Sequence, residues 1–208
     1  MSLWGRVFAA MYDRVLAGSE KAGLRERRRE LLAQTRGRVV EVGAGTGVNL
    51  EHYPAGAIDE LVLVEPEEPM ARRLERRLAE CSLPARIVRA PAESLPFEGE
   101  SFDFAVCTLV LCTVADQPRA LSELHRVLKP GGRLLFLEHV RAEDPGLARW
   151  QDRIDPLWVR IGHGCHCNRS TLEALTRSGF AVQEVEHGSV PKAAAFVRPL
   201  VVGVAAPA

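Results

Sequence analysis

Apolar and polar positions change their period along the chain, and the changes divide it. Trp4, Val7, Phe8, Met11, Tyr12, Val15 and Leu16 recur at helical spacing and predict an amphipathic leading helix. Glu20 to Thr35 predicts a second, very polar helix. From Arg38 the period shortens. Runs at Arg38 to Val42, Glu60 to Val64, Arg86 to Arg89, Phe102 to Leu109 and Arg133 to Val140 predict five strands, and Phe180 to Glu186 and Pro199 to Ala205 two more. Helical periods return between them, as a short piece from Asn49 to Tyr53 and as helices over Pro69 to Cys81, Gln117 to Leu128, Leu147 to Ile161 and Ser170 to Ser178. Lys129-Pro130-Gly131-Gly132 is a strong helix stop. Pro156 is expected to kink or split its helix. Ser170 with Glu173 three residues on has the form of a capping box, and Gly179 ends that helix. The first five strands are near-continuous apolar runs, as expected where both sheet faces are covered. The alternation predicts an open α/β sheet over residues 37–208, preceded by a helical arm over 1–36. Ligands of such sheets bind beyond the carboxyl ends of the strands.

Composition narrows the classes. The chain has 208 residues, enough for one domain with a proper core. Its 47% apolar content excludes a disordered chain. No run reaches the roughly 18 apolar residues of a membrane span. Arg6, Asp13 and Arg14 interrupt the first apolar stretch, which argues against a cleavable signal peptide. Lys plus Arg and Asp plus Glu both number 27, so the chain is formally neutral, and a strongly basic nucleic-acid binder is not expected. Neutrality is a sum, however. Residues 1–38 carry nine basic and four acidic side chains, a net +5, which leaves −5 for the rest. The basic arm can fold against its own domain as a lid or touch an anionic membrane surface. Five cysteines at irregular spacing suit reduced thiols in a cytoplasmic protein rather than a disulfide framework.

The candidate chemistry begins where the first strand runs into Glu41-Val42-Gly43-Ala44-Gly45-Thr46-Gly47. A glycine turn there lets a ligand approach the backbone. Nicotinamide sites use G-x-G-x-x-G, with a pyrophosphate at the turn. The spacing here is G-x-G-x-G, and Glu41 would sit badly beside a pyrophosphate but suits a ligand bearing an amino group. Glu65 ends the second strand about 20 residues past the turn, the usual place for a carboxylate on ribose hydroxyls. After the third strand, Ala92-Glu93-Ser94-Leu95-Pro96-Phe97 offers a carboxylate for an exocyclic amine, with apolar neighbours for a ring.

Together with Ser101-Phe102-Asp103 and the Arg126-Val127-Leu128-Lys129-Pro130-Gly131-Gly132 segment, these motifs resemble the class I S-adenosylmethionine-dependent methyltransferases over roughly residues 37 to 140. The resemblance implies a Rossmann-like, seven-stranded, mostly parallel sheet with its last strand antiparallel. It implies S-adenosylmethionine as methyl donor, with Gly43, Ala44, Gly45 and Gly47 lining its methionine part and Glu41 beneath. It puts Glu65 on the ribose with Pro66 and Met70 nearby, Ala92, Glu93 and Ser94 around the adenine, and Thr108 and Leu109 facing the sulfonium. Cys107 to Cys112, Leu137-Glu138-His139-Val140, Asp155-Pro156-Leu157-Trp158, Gly164-Cys165 and Val197-Arg198-Pro199 are similar to a methyltransferase-like subgroup whose characterised animal members are membrane-associated alkyl thiol methyltransferases.

The acceptor expected from this is a small, fairly apolar molecule, with a thiol favoured. Methylation at O, N or C of a lipid, quinone or phenol, and non-catalytic binding of S-adenosylmethionine, stay open. His139 is the first candidate base or orienting group, followed by Tyr12 and Asp13 on the leading helix. Trp150 and Trp158 are candidates for the acceptor wall, and so is Cys165. His163, Cys165, His166 and Cys167, with His187 nearby, are soft groups, but C-x-C is not the usual C-x₂₋₄-C spacing and no second ligand pair follows. No metal is expected on that ground.

Overall fold

The computed structural model describes residues 3–208, with side chains described from Ala9 onward. The stripe positions Trp4, Val7 and Phe8 therefore lie outside the described side chains. Helix α1 spans Leu3–Ser19. A π-helical turn over Glu20–Leu24 follows, with Gly23 at a φ of 129°, before α2 at Arg25–Leu32. The second helix is thus broken, because a positive φ at Gly23 cannot continue a right-handed helix.

The strands are β1 Gly37–Val42, β2 Ile58–Val64, β3 Ala85–Val88, β4 Phe102–Thr108, β5 Leu128–His139, β6 Phe180–Ser189 and β7 Pro199–Pro207. They form one sheet in the order β3-β2-β1-β4-β5-β7-β6. Strands β1 to β5 pair in parallel, while β7 is antiparallel to both β5 and β6. The parallel run reverses direction of travel beside β1 and β4, so their carboxyl ends open the crevice where such sheets bind ligands.

Both faces are covered. Val40, Val42, Val62, Val64, Ala105, Cys107, Leu134 and Phe136 pack on one side, and Val39, Leu61, Leu63, Phe104, Val106, Leu135 and Leu137 on the other. Alternate residues therefore enter different cores, which is why the strands are apolar without a visible period. The first core takes Ala120, Leu121 and Leu124 of α4 (Gln117–Val127) and Leu175 of α6 (Thr171–Arg177). The second takes Leu31 and Leu32 of α2 and Leu74 of α3 (Glu68–Leu78).

Three local expectations change. Helix α5 runs unbroken over Pro145–Ile161 through Pro156. Asp152, whose carbonyl loses a donor there, and Pro156 both face solvent, so water can replace the lost bond. Ser170 makes no side-chain cap, and Glu173 instead meets Arg177 one turn on at 3.3 Å. Strand β5 begins at Leu128, paired with Phe102, and bulges through Lys129 to Gly132 before Arg133 pairs with Phe104.

Candidate active site

The glycine turn is set by backbone geometry. Gly43 has a φ of 70°, and a Cβ there would lie 2.3 Å from a methyl of Val110. Gly47 has a φ of 84°, and its Cβ would meet Leu74 at 2.7 Å. Only glycine satisfies both the conformation and the contact. The Gly43 and Ala44 amides bond to the Val64 carbonyl, and Glu65 closes the turn from β2 by accepting from Gly45 N at 2.7 Å and Glu67 N at 2.8 Å. Burial pushes the Glu65 carboxyl above its ordinary value, against those two amide bonds.

Beneath the turn lies a buried polar chain. Glu41 accepts from Asn49 at 2.9 Å and from the Tyr53 hydroxyl at 2.7 Å. Burial raises its carboxyl to about 7, with the Tyr53 and Asn49 bonds and the Arg28 charge opposing. Arg28, only 1% exposed, donates to Glu20 at 3.0 Å, to Asn49 Oδ1 at 3.0 Å and to Thr108 Oγ1 at 2.8 Å. Arg28 is the residue that sequence reasoning missed. Its helix reads as uniformly polar, and the only hint was Leu31 and Leu32 one turn on, which mark the inward face.

Helix α1 lies over this cleft. Asp13 accepts from Thr46 Oγ1 at 2.6 Å and from Arg77 of α3 at 2.7 Å, and Ser19 Oγ donates to the Pro191 carbonyl at 2.7 Å. Asp13 is thereby committed to the outer side of the glycine turn. Burial drives the Tyr12 phenol above its usual value; Arg28 pulls it down, and Cys112, Glu20 and Glu65 push it up. Met11 and Val15, at 51% and 68% exposure, face outward. Asp13→Ala is expected to release this latch at a cost of only about 1 kcal/mol, because the ion pair is partly solvated. The readout is faster proteolysis between residues 14 and 24, and an unchanged rate would mean that other contacts hold α1 down.

The remaining cofactor candidates follow the strand ends. Met70, in the first turn of α3, and Ala92 are buried, whereas Ser94 is exposed. The Pro66 carbonyl accepts from Arg89 at 2.8 Å. Glu93 accepts from Asp116 N at 3.1 Å, and its carbonyl accepts from Arg119. Arg126 grips the Leu95 and Phe97 carbonyls, which pins this loop to α4. Leu109 has a φ of 59°, a strained value that turns the chain sharply after β4.

At the carboxyl ends of β4 and β5, His139 Nε2 is 2.9 Å from Cys165 Sγ, and Trp158 Nε1 donates to the same sulfur at 3.1 Å. Cys112 completes a cluster with them. The Cys112 hydrogen bond and then His139 hold the Cys165 thiol well below its ordinary value, against burial. Burial opposes protonation of His139, but the Cys165 contact and Glu138 lift it overall. Glu138 is fully buried and accepts from Val110 N at 2.9 Å and Leu111 N at 3.0 Å. The His-Cys tract from 163 to 167 is split by the fold. His163 lies 3.7 Å from Glu67, His166 bonds Asp155, Cys167 is buried on Asp155, and His187 pairs with Glu143. Trp150 packs edge-on against Phe196 and does not join the cluster. A separate cavity of about 680 Å³, lined by Arg141, Asp144, His187 and Arg198 among others, does not reach the glycine turn.

Residues 40–136 match the methyltransferase domain family. Thiol S-methyltransferase TMT1A of Homo sapiens is 36% identical over 171 residues, which cover 80% of this chain and 69% of that protein. Thiol S-methyltransferase TMT1B of Homo sapiens is 34% identical over 91% of this chain and 82% of its own length. The chain belongs to the S-adenosylmethionine-dependent methyltransferases. The fold of this methyltransferase is also that of a crystal structure from Thermotoga maritima described as an S-adenosylmethionine-dependent methyltransferase, possible histamine N-methyltransferase. Its TM-score is 0.72 at 24% identity, covering 99% of this chain and 98% of that one. In this methyltransferase the glycine turn, Glu65 and the Ala92 to Phe97 loop follow β1, β2 and β3, and Thr108 and His139 end β4 and β5 at the same carboxyl edge of the sheet. Among the described residues, no helix is long and apolar enough to cross a membrane.

Proposed function

We propose that this methyltransferase transfers the methyl group of S-adenosylmethionine to the sulfur of a small, apolar thiol. The observation that carries the reading is the similarity to the two human thiol S-methyltransferases. In one of them it extends over 91% of the chain, well past the shared core at 40–136.

The chemistry asks little of the protein. The thiolate lone pair attacks the methyl carbon in line, the carbon–sulfonium bond breaks, and its electron pair stays on the departing sulfur. Most of the rate then comes from holding donor and acceptor together. A free thiol ionises near about 8.5, so thiolate is available near neutrality. A phenol or amine would want a committed base. Tyr12 is held protonated by burial, and His139 is engaged with Cys165, so neither stands ready for that work.

The test is a labelled-methyl assay of the full chain against alkyl and aryl thiols, phenols, quinols and amines. Thiols are expected to give methyl thioether and S-adenosylhomocysteine in equal amounts, at least about 100-fold faster than phenols or amines, the scale of a missing general base. Turnover of a phenol, quinol or amine with none of any thiol would overturn the reading. Binding of S-adenosylmethionine with no transfer to any acceptor would point to a non-catalytic protein.

A further inference from the structure

Three soft ligand groups meet at the carboxyl ends of β4 and β5. Cys112 lies in the loop after β4, His139 ends β5, and Cys165 lies in the turn after α5. One sulfur or ring-nitrogen atom from each is within 4.8 Å of the other two. The proposed transfer assigns none of the three a task.

The cluster is built from several directions. Glu138 holds the Val110 and Leu111 amides, and Arg169 donates to the Leu111 carbonyl at 2.6 Å and the Val114 carbonyl at 2.7 Å. The His166 amide donates to the Cys112 carbonyl at 2.8 Å. The loop carrying Cys112 and the segment carrying Cys165 are thus tied to each other through their backbones. His139 is 6% exposed, and its buried Nδ1 has no partner among the described residues. The ring's other nitrogen, Nε2, is the one that faces Cys165 and would take a metal ion.

Two thiolates and a neutral imidazole balance a divalent charge. Two cysteines and one histidine with an open fourth position are the ligand set of a catalytic, rather than structural, zinc site. A tetrahedral zinc ion, with Zn–S about 2.3 Å and Zn–N about 2.0 Å, spaces its ligand atoms about 3.5–3.8 Å apart. That spacing falls between the 2.9 Å His139–Cys165 contact and the 4.8 Å limit of the cluster, so small side-chain shifts suffice.

We propose that Cys112, His139 and Cys165 bind one zinc-class metal ion, whose open fourth position takes the sulfur of the acceptor. The metal site stands on the geometry; its use rests on the thiol reading above. Coordination releases the thiol proton to solvent and keeps the sulfur as thiolate below its free pKa. The coordinated sulfur attacks the methyl carbon, S-adenosylhomocysteine leaves with the electron pair of the broken bond, and the neutral thioether, a weaker ligand, dissociates. No oxidation state changes.

The test loads chelator-stripped full chain with zinc and, for its spectrum, cobalt(II). About one equivalent is expected to bind, with sulfur-to-cobalt charge-transfer bands and the visible bands of a tetrahedral ion. Cys112→Ser, Cys165→Ser and His139→Ala are expected to weaken binding at least about 100-fold, at the upper end of what loss of a supporting group costs. Cys167→Ser and Cys81→Ser are expected to bind as the parent does. Circular dichroism and S-adenosylmethionine binding check that each variant is folded. A small thiol is expected to shift the visible cobalt bands. No stoichiometric binding, bands that survive loss of Cys112 and Cys165, or a Cys112–Cys165 disulfide in the purified protein would overturn the metal site. A bound metal with no thiol turnover would sink the thiol reading and leave the site. Full thiol turnover in the stripped protein would remove the metal's part in the reaction and leave the thiol reading.

Discussion

Arg28→Met is expected to lower the unfolding midpoint by about 6–12 °C. Breaking a buried ionic contact by removing one partner costs about 3 kcal/mol or more, and each kcal/mol moves the midpoint of a chain this size by about 2–4 °C. The cost arises from what is stranded. Glu20 loses its guanidinium at 18% side-chain exposure, and buried Asn49 and Thr108 each lose a donor. Methionine fills much of the space, so the loss reports hydrogen bonding rather than a cavity. The same variant is expected to weaken S-adenosylmethionine binding roughly tenfold, about 1.4 kcal/mol. Arg28 fixes Thr108, at the strand end assigned to the sulfonium, and Asn49, which in turn holds Glu41. Arg28→Lys cannot reach Glu20 and Thr108 together in Arg28's forked geometry and is expected to recover only part of the loss. Adding Glu20→Gln to Arg28→Met is expected to recover part by another route, since the stranded charge is gone. A Met variant as stable as the parent would show that the network is incidental.

The fold was legible where local rules and global arrangement agree. The five apolar runs, the glycine turn and the Lys129 to Gly132 stop each have a local cause that survives folding. The break at Gly23 was less legible, because one glycine in a polar helix is ordinarily tolerated. Pro156 erred the other way, since its disruption depends on whether water can reach the freed carbonyl, which no sequence states.

The cluster at the ends of β4 and β5 was legible in its parts and not in its assembly. His139, Cys165 and Trp158 were each singled out from the chain. Cys112 appeared only as one residue of the run after the fourth strand. Along the chain, the soft groups nearest Cys165 are His163, His166 and Cys167. The fold instead joins Cys165 to the ends of two parallel strands, because those strands share a carboxyl edge. Arg28 was illegible for a related reason. A buried arginine is specified by acceptors on three other elements, and none of them lies within its own helical period.

Glu41 provides the second large effect, read as a dependence on pH. Its carboxyl titrates at about 7 in the folded chain, against an ordinary value of 4.5. A pKa raised by folding contributes stability that is fully present below the unfolded value and is lost as pH rises through the folded one. At about 1.4 kcal/mol per unit, the parent is expected to lose about 2–4 kcal/mol between pH 4 and 8 relative to Glu41→Gln, measured by urea unfolding. A flat difference curve would mean that Glu41 stays ionised when buried. The cofactor has the opposite preference. The resemblance to the methyltransferases implies that Glu41 lies beneath the methionine end; there the ligand's amino cation favours the carboxylate, so binding must expel the proton that burial retains. S-adenosylmethionine affinity is therefore expected to fall as pH drops below about 7, approaching tenfold per unit, and Glu41→Gln is expected to lack that slope. Tyr53→Phe separates the two roles. It removes the 2.7 Å bond that favours the carboxylate, so the pH midpoint for binding is expected to move upward. A stability slope without an affinity slope would make Glu41 a strut under the glycine turn and leave the cofactor's amino group to other residues.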